Sequence, residues 1–274
     1  MCGRYVMART TADLVAEAEA EAEADANLEL RASWNVAPTS DVPVVLERLV
    51  DGRRVREVHV AKWGLVPGWA KDASVGVRAF NARSETVLEK PTFRDAVAAR
   101  RCAVPVDGYY EWKAGPGKAR RPFYVSRTDG RPIFLAGLYE WWRDPAKGPG
   151  DPQRWLLSTT ILTVASPPAD STEPVLRELG ELHDRLPLPL SPEAMAAWLD
   201  PAALPRRNPA GTNSAGTSPG GTNAAALVGM AVAQAHPAAS DWQVRPAHPE
   251  VGNVRNDGEY LLHPDTSAAV DVLF

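Results

Sequence analysis

Six stretches of strand length constrain this chain more than any other feature: Val42–Arg48, Val55–Val66, Cys102–Trp112, Pro122–Arg127, Ile133–Trp142 and Trp155–Ala165. All are rich in β-branched, aliphatic or aromatic residues, which suit a pleated, half-buried surface. Asp51-Gly52 separates the first pair and Asp129-Gly130 the fourth from the fifth. Such short gaps join antiparallel neighbours, because parallel strands need crossovers of a dozen residues or more. Helical signals interrupt the strands. Pro91–Ala99 has proline near its first turn, Ser191-Pro192-Glu193 sets a cap, a proline and an acid ahead of Ala194–Leu199, and Thr172–Leu182 reads as a third helix. The mixture predicts an α+β domain on largely antiparallel strands.

Two segments read differently. From about Asp13 to Leu30 an Ala/Glu run alternates with period two, yet both residue types are poor in strands and good in helices. The expectation is a solvated acidic surface helix over 13–30, with Thr10 or Thr11 near its cap. Residues 205–223 are rich in Gly, Ser, Thr, Asn and Pro, the composition of a flexible loop. Apolar sequence resumes at Ala224–Ala233, and Trp242 and Val254 follow, so the loop is an insertion within one domain spanning 1–274.

Composition narrows the class. At 274 residues, 45% hydrophobic and 23% charged, the chain suits an ordinary globular protein. Apolar stretches fall short of the ~20 residues that span a bilayer, and the first residues lack signal-peptide regions, so a cytoplasmic protein with no membrane partner is expected. Cys2 and Cys102 are the two cysteines, too few for a disulfide framework or a cysteine-rich zinc site; no metal and no cofactor are expected. The net charge is -4, but the five carboxylates between Ala16 and Ala26 leave the remainder at +1. A local basic groove is compatible with that balance.

Chemistry concentrates first at Cys2, in Met1-Cys2-Gly3-Arg4-Tyr5. Loss of Met1 would make it a terminal 1,2-aminothiol. An α-amine, with a pKa of about 7.7–8.0 against about 10.4 for lysine, has the larger neutral fraction near pH 7 and attacks aldehydes. The adjacent thiol then closes a five-membered thiazolidine at high effective concentration. A buried cysteine acting as a small hydrophobe is the alternative.

Other candidates follow along the chain. Trp63-Gly64-Leu65-Val66-Pro67-Gly68-Trp69 sets two tryptophans around a turn, as core or as a stacking face for an unpaired base. In Phe80-Asn81-Ala82-Arg83-Ser84-Glu85, Asn81 suits a carbonyl or sugar and Arg83 a phosphate, while Glu85 can simply pair with an arginine. Glu111 follows a buried-looking strand beside Tyr109, Tyr110 and Trp112, and is either a proton shuttle or a strand-edge carboxylate facing water. His183 ends a helix with Arg185 two positions on; His236, His248 and His263 precede prolines and read as loop residues.

Taken in order, Met1–Tyr5, Asn35–Pro38, Trp63–Trp69, Phe80–Glu85, Arg101–Trp112, Leu135–Tyr139, His183–Pro187 and Val251–Asp257 resemble the SOS response-associated peptidase family of abasic-site processing proteins. The resemblance covers nearly the whole chain. It implies a single α+β domain with barrel-like strands flanked by helices and a positive cleft for single-stranded DNA containing abasic sites, in a monomer. It implies a catalytic set of Cys2, Asn81, Glu111 and His183, with Arg4, Arg83 and Arg185 on phosphates and Trp69 against bases. Cys2 would form a thiazolidine crosslink that shields the abasic site, and loss of Met1 would be self-catalysed. Leu186 stands where methionine commonly precedes the proline, and Ser166–Glu181 is a longer approach to that motif. The crosslink requires Cys2 to face a cleft reached by an arginine-lined channel. An N-terminal nucleophile amidohydrolase of the glutamine amidotransferase type is the alternative enzyme, and a plain single-strand-binding module the non-enzymatic one.

Overall fold

In the computed structural model the described residues are 2–23, 31–115, 117, 120–201 and 219–265, with 22–23 and 219–223 described by backbone alone. Along the chain run β1 (Tyr5–Met7), α1 (Thr11–Glu17), β2 (Ala22–Glu23), β3 (Ser33–Val36), β4 (Asp41–Val50), β5 (Arg53–Trp63), β6 (Asn81–Arg83), α2 (Arg94–Ala99), β7 (Arg101–Val106), β8 (Gly108–Ala114) and β9 (Arg120–Arg127). There follow β10 (Ile133–Arg143), β11 (Trp155–Ala165), α3 (Pro174–Leu182), β12 (Arg185–Pro187), α4 (Pro192–Leu199), α5 (Pro219–Ala238) and β13 (Trp242–Pro246).

Five strands close a barrel. β11, β10, β7, β4 and β5 are successive antiparallel neighbours, and β5 returns to β11 in parallel, Lys62 opposite Ser158 and Trp63 opposite Thr159. Further along β11, β6 pairs in parallel and β12 antiparallel. A second, wholly antiparallel sheet has the order β13-β9-β8-β1-β3. The architecture is the expected α+β fold, largely antiparallel strands in a barrel flanked by helices. Its main core runs from Leu46 and Val104 inside the barrel to Leu199 and Ala231 on the outer helices.

The apolar run Cys102–Trp112 is two strands in different sheets, broken at Asp107. The Asp107 carboxylate accepts the Ala8 amide at 2.7 Å and pairs with Arg9 Nε at 2.6 Å, and its own amide donates to Val6 at 2.8 Å. Gly108 then passes so close to β9 that a Cβ would lie 2.5 Å from the Tyr124 hydroxyl and from the Val125 carbonyl. These contacts pull the chain out of the barrel sheet and lay it against β1, so the amino-terminal strand runs through the core rather than over the surface.

The acidic run departs from expectation. Thr10 caps α1, accepting the Asp13 amide, but the helix stops at Glu17, and Ala22–Glu23 pair as a strand with Glu57 and Val58 of β5. The Glu21 amide donates to Arg56 and the Arg56 guanidinium reaches Ala18 O, so an open sheet edge outcompetes local helix propensity. The rest of that run, 24–30, lies outside the described residues. So does most of the expected 205–223 loop; its last residues, 219–223, are instead the start of α5. His236 also lies in α5, its Nε2 3.0 Å from Ala165 O, with Pro237 tolerated at the helix end.

One ion pair makes a stability prediction. Glu57 takes both arms of Arg48, at 2.7 and 2.6 Å, and meets His59 Nε2 at 2.9 Å; chiefly the Arg48 bond holds its carboxyl below the usual range. Glu57→Gln should cost about 1 kcal/mol, the low end for a charge-assisted bond because Arg48 reaches solvent. The contribution is fully present above the unfolded glutamate pKa and disappears as pH falls through the lowered folded value. Urea unfolding should therefore separate the two proteins at pH 7 and bring them together in acid; a gap unchanged by pH would contradict the assignment.

Candidate active site around the amino terminus

Cys2 lies in the core three residues before the start of β1. It is 0% exposed. Burial pushes its thiol up to about 12, the nearby Glu111 carboxylate adds to the rise, and the positive amino terminus and the Arg4 amide oppose it. The antiparallel register of β1 on β8, Tyr5 opposite Tyr109, runs the residues before Arg4 back alongside Glu111. Glu111 is itself buried, with Oε1 accepting the Trp112 amide at 3.1 Å.

Asn81 opens β6 opposite Ile161, and its Nδ2 donates to the Cys2 carbonyl at 2.7 Å. Its Oδ1 is buried with no hydrogen-bond partner among the described residues. An amide donor, an orphaned amide acceptor and a carboxylate thus surround the second residue of the chain.

His183 ends α3 as its C-cap. Nδ1 lies 2.9 Å from the Arg185 amide, which it accepts when unprotonated, and 2.7 Å from the Asp184 carboxylate, to which it donates when protonated. One nitrogen cannot do both, so gaining a proton changes its partner. A bridge from Lys113 to Glu181, 3.0 Å, ties β8 two residues past Glu111 to α3 two residues before His183.

The four residues expected at DNA divide. Arg83 is exposed two positions past Asn81, and Trp69 is 59% exposed on its turn, with Nε1 3.4 Å from Pro91 O. Arg4 and Arg185 are engaged within the protein. Arg4 NH1 donates to Asn35 Oδ1 and Val251 O at 3.1 and 3.2 Å, and burial lowers its pKa. Arg185 forks onto Glu85 at 2.6 and 3.0 Å and reaches Thr163 O at 2.7 Å. Glu85 is thus an arginine's partner, and that arginine chiefly holds its carboxyl low.

Sequence reasoning missed Asn35 as a hub. Its Nδ2 faces the carbonyls of Val251, Asn253 and Asn256 at 3.4, 3.0 and 2.8 Å, fastening the Val251–Asp257 motif to β3 beside Arg4. Tyr5 and Tyr109 were also missed; burial above all raises both hydroxyls, and the Cys2 thiol raises them further. Their place beside Cys2 was visible only as motif neighbours. The largest departure concerns access: in the chain bearing Met1, the Cys2 thiol is covered rather than open to a cleft. Its burial keeps it protonated and unreactive in that form.

A closed barrel that buries its own amino-terminal cysteine against a carboxylate and an amide defines a domain built around its chain terminus. The chain belongs to the SOS response associated peptidase (SRAP) family, whose model matches residues 1–224. It is 35% identical over 202 residues to the abasic site processing protein YoqW of Bacillus subtilis (strain 168), covering 73% of this chain and 81% of that protein. It is 28% identical over 268 residues to the abasic site processing protein YedK of Escherichia coli (strain K12), covering 96% and 100%. A crystal structure of a Bacteroides thetaiotaomicron protein has the same fold, with TM-score 0.68 at 19% identity over 96% of this chain and 99% of that one. That coverage extends past the family match, in keeping with β13 completing the second sheet on β9.

Proposed function

We propose that this protein processes abasic sites in single-stranded DNA, crosslinking to them through a Cys2 freed of Met1. The observation that carries the reading is the Asn81 amide on the Cys2 carbonyl, with the Glu111 carboxylate beside the same residue. Hydrolysis of the Met1–Cys2 bond yields an α-amine. That amine adds to the ring-opened sugar aldehyde, loses water to give an iminium, and the thiol adds to the iminium carbon while its proton passes to nitrogen. One aldehyde and one aminothiol thus give one thiazolidine and one water. Burial disfavours the charged amine, so the enclosure that silences the thiol before processing raises the neutral amine fraction after it.

In this scheme Glu111 and His183 move protons for ring opening and iminium formation, and Asn81 Oδ1 receives a donor from the new terminus or the sugar. Arg83 holds a phosphate and Trp69 stacks a base. Arg185 positions the β6 and β12 motifs through Glu85 and Thr163, and contacts phosphate only by giving up that pairing. Single-strand preference, the monomeric state and self-catalysed loss of Met1 belong to the same proposal.

Denaturing electrophoresis of the purified protein with an abasic single-stranded oligonucleotide tests it. The wild type should give a heat-stable shifted band. Cys2→Ala and Cys2→Ser should each give at most a labile species, since both keep the α-amine but lack the ring-closing sulfur. Equal yields from all three would reject the ring mechanism.

A further inference from the structure

Beyond the barrel, β10 and β11 continue as a two-stranded ribbon whose two faces differ. Trp142 and Glu140 lie on one face, beneath the turn that follows Trp63: Trp142 Nε1 donates to Ala70 O at 2.8 Å, and Trp142 packs with Val66 and Ala70. Glu140 is there tied to Arg100 at 2.7 Å. The other face carries Trp141, 44% exposed, and Trp155, 53% exposed, with Arg143 exposed directly opposite Trp155. Strand alternation fixes this division, because successive residues point to opposite sides. Trp141 is opposite Leu157, so Trp141 and Trp155 hold diagonal backbone positions about 7–8 Å apart, which lets neighbouring bases of one strand reach both.

Two half-exposed tryptophans with an arginine beside both are not explained by the barrel core or by the site at Cys2. Arg143 makes no ion pair among the described residues. Trp141, Arg143 and Trp155 are the exposed residues of this face, which runs into the barrel over the half-buried Tyr139 and the buried Leu157 and Thr159; none of the six is acidic, and Glu140 is turned to the far side. Flat π surfaces beside an unpaired cation suit unpaired bases with a phosphate between them. The exposed Trp69 belongs to the turn clamped on the opposite face, so one strand passing it can continue round the end of the same ribbon.

We infer that the Trp141–Arg143–Trp155 face is a second contact surface for single-stranded DNA, stacking undamaged bases away from the crosslinking residue. The inference rests on the single-strand reading above but is measured without any crosslink. Fluorescence anisotropy with undamaged oligonucleotides of about 6 and about 16 nucleotides separates the two, since only the longer can reach both surfaces. The double variant W141A/W155A should bind the longer strand at least about tenfold more weakly and the shorter one as the wild type does. W141F/W155F should recover most of the loss, and Arg143→Ala should lower the salt slope by about one unit. Crosslinking of a short abasic oligonucleotide should be unaffected. Unchanged affinity for the longer strand would overturn the inference, as would equal losses for both lengths. Concentration-dependent self-association removed by W141A/W155A would instead assign the face to a second copy of the chain and also overturn it.

Discussion

Glu111→Gln is expected to slow crosslinking to abasic single-stranded DNA by about 10²–10⁴-fold, the usual worth of a positioned proton carrier, with affinity for undamaged strands nearly unchanged. The substitution is close to isosteric, and a glutamine oxygen can still accept the Trp112 amide that Glu111 Oε1 accepts at 3.1 Å. A competing effect makes the result decisive. Glu111 raises the Cys2 thiol, so removing its charge lowers that pKa and by itself favours thiolate attack. If thiol ionisation limited the rate, Glu111→Gln would accelerate the reaction; if proton transfer limits it, the variant slows. Single-turnover crosslinking rates across pH distinguish the signs, and parallel loss of strand binding would mark a folding defect instead.

Gly64→Ala carries the largest expected cost to stability, about 3 kcal/mol or more, combining backbone strain with overpacking. Gly64 has φ +139°, and a Cβ there would lie 2.5 Å from Gly76 O, while a Cβ on Gly76 would lie 2.5 Å from Gly64 O. The two backbones meet where β5 leaves the barrel, with the Gly64 amide on Thr159 O at 2.8 Å and Leu65 on Ala79 at 3.1 Å. This crossing sets the turn that carries Trp69, and Trp63 Nε1 bonds Phe80 O just before Asn81. Gly52 is the internal control: it too has positive φ, +80°, but nothing lies within 4 Å of its Cβ position. Gly52→Ala should therefore cost only the backbone term, about 1 kcal/mol. Denaturant midpoints with unchanged slope would read both. Similar losses at the two glycines would show that close approach is not what Gly64 provides.

Much of the barrel was legible in the sequence because its strands bury both faces or alternate cleanly, as β4 and β11 do, and because Asp51-Gly52 marks a tight hairpin. Legibility failed where long-range contacts override a local signal. The Ala/Glu run follows its helix propensity only to Glu17, since pairing with β5 takes over. Cys102–Trp112 reads as one apolar run, and only Ala8 and Arg9, nearly a hundred residues upstream, show why it breaks at Asp107.

The site divides in the same way. Cys2, Asn81, Glu111 and His183 stand out as residue types in their motifs, but that Asn81 grips the Cys2 carbonyl follows from β6 pairing with β11, which no local pattern encodes. Arg185 and Glu85, a hundred residues apart, look in sequence like a phosphate ligand and a spare carboxylate, yet fold into a forked ion pair. The burial of Cys2 is the sharpest case. The sequence marks it as reactive, and the fold holds it covered while Met1 is attached.

The ring mechanism requires that the amine and the sulfur of one processed residue both end up bonded to the sugar carbon. Intact mass spectrometry of the isolated protein–oligonucleotide adduct addresses it directly. The predicted mass is that of the chain without Met1 plus the abasic oligonucleotide less one water, with fragmentation placing the DNA on Cys2 and no free thiol there. An adduct that retains Met1, that maps to a lysine, or that leaves the Cys2 thiol open to alkylation would contradict it.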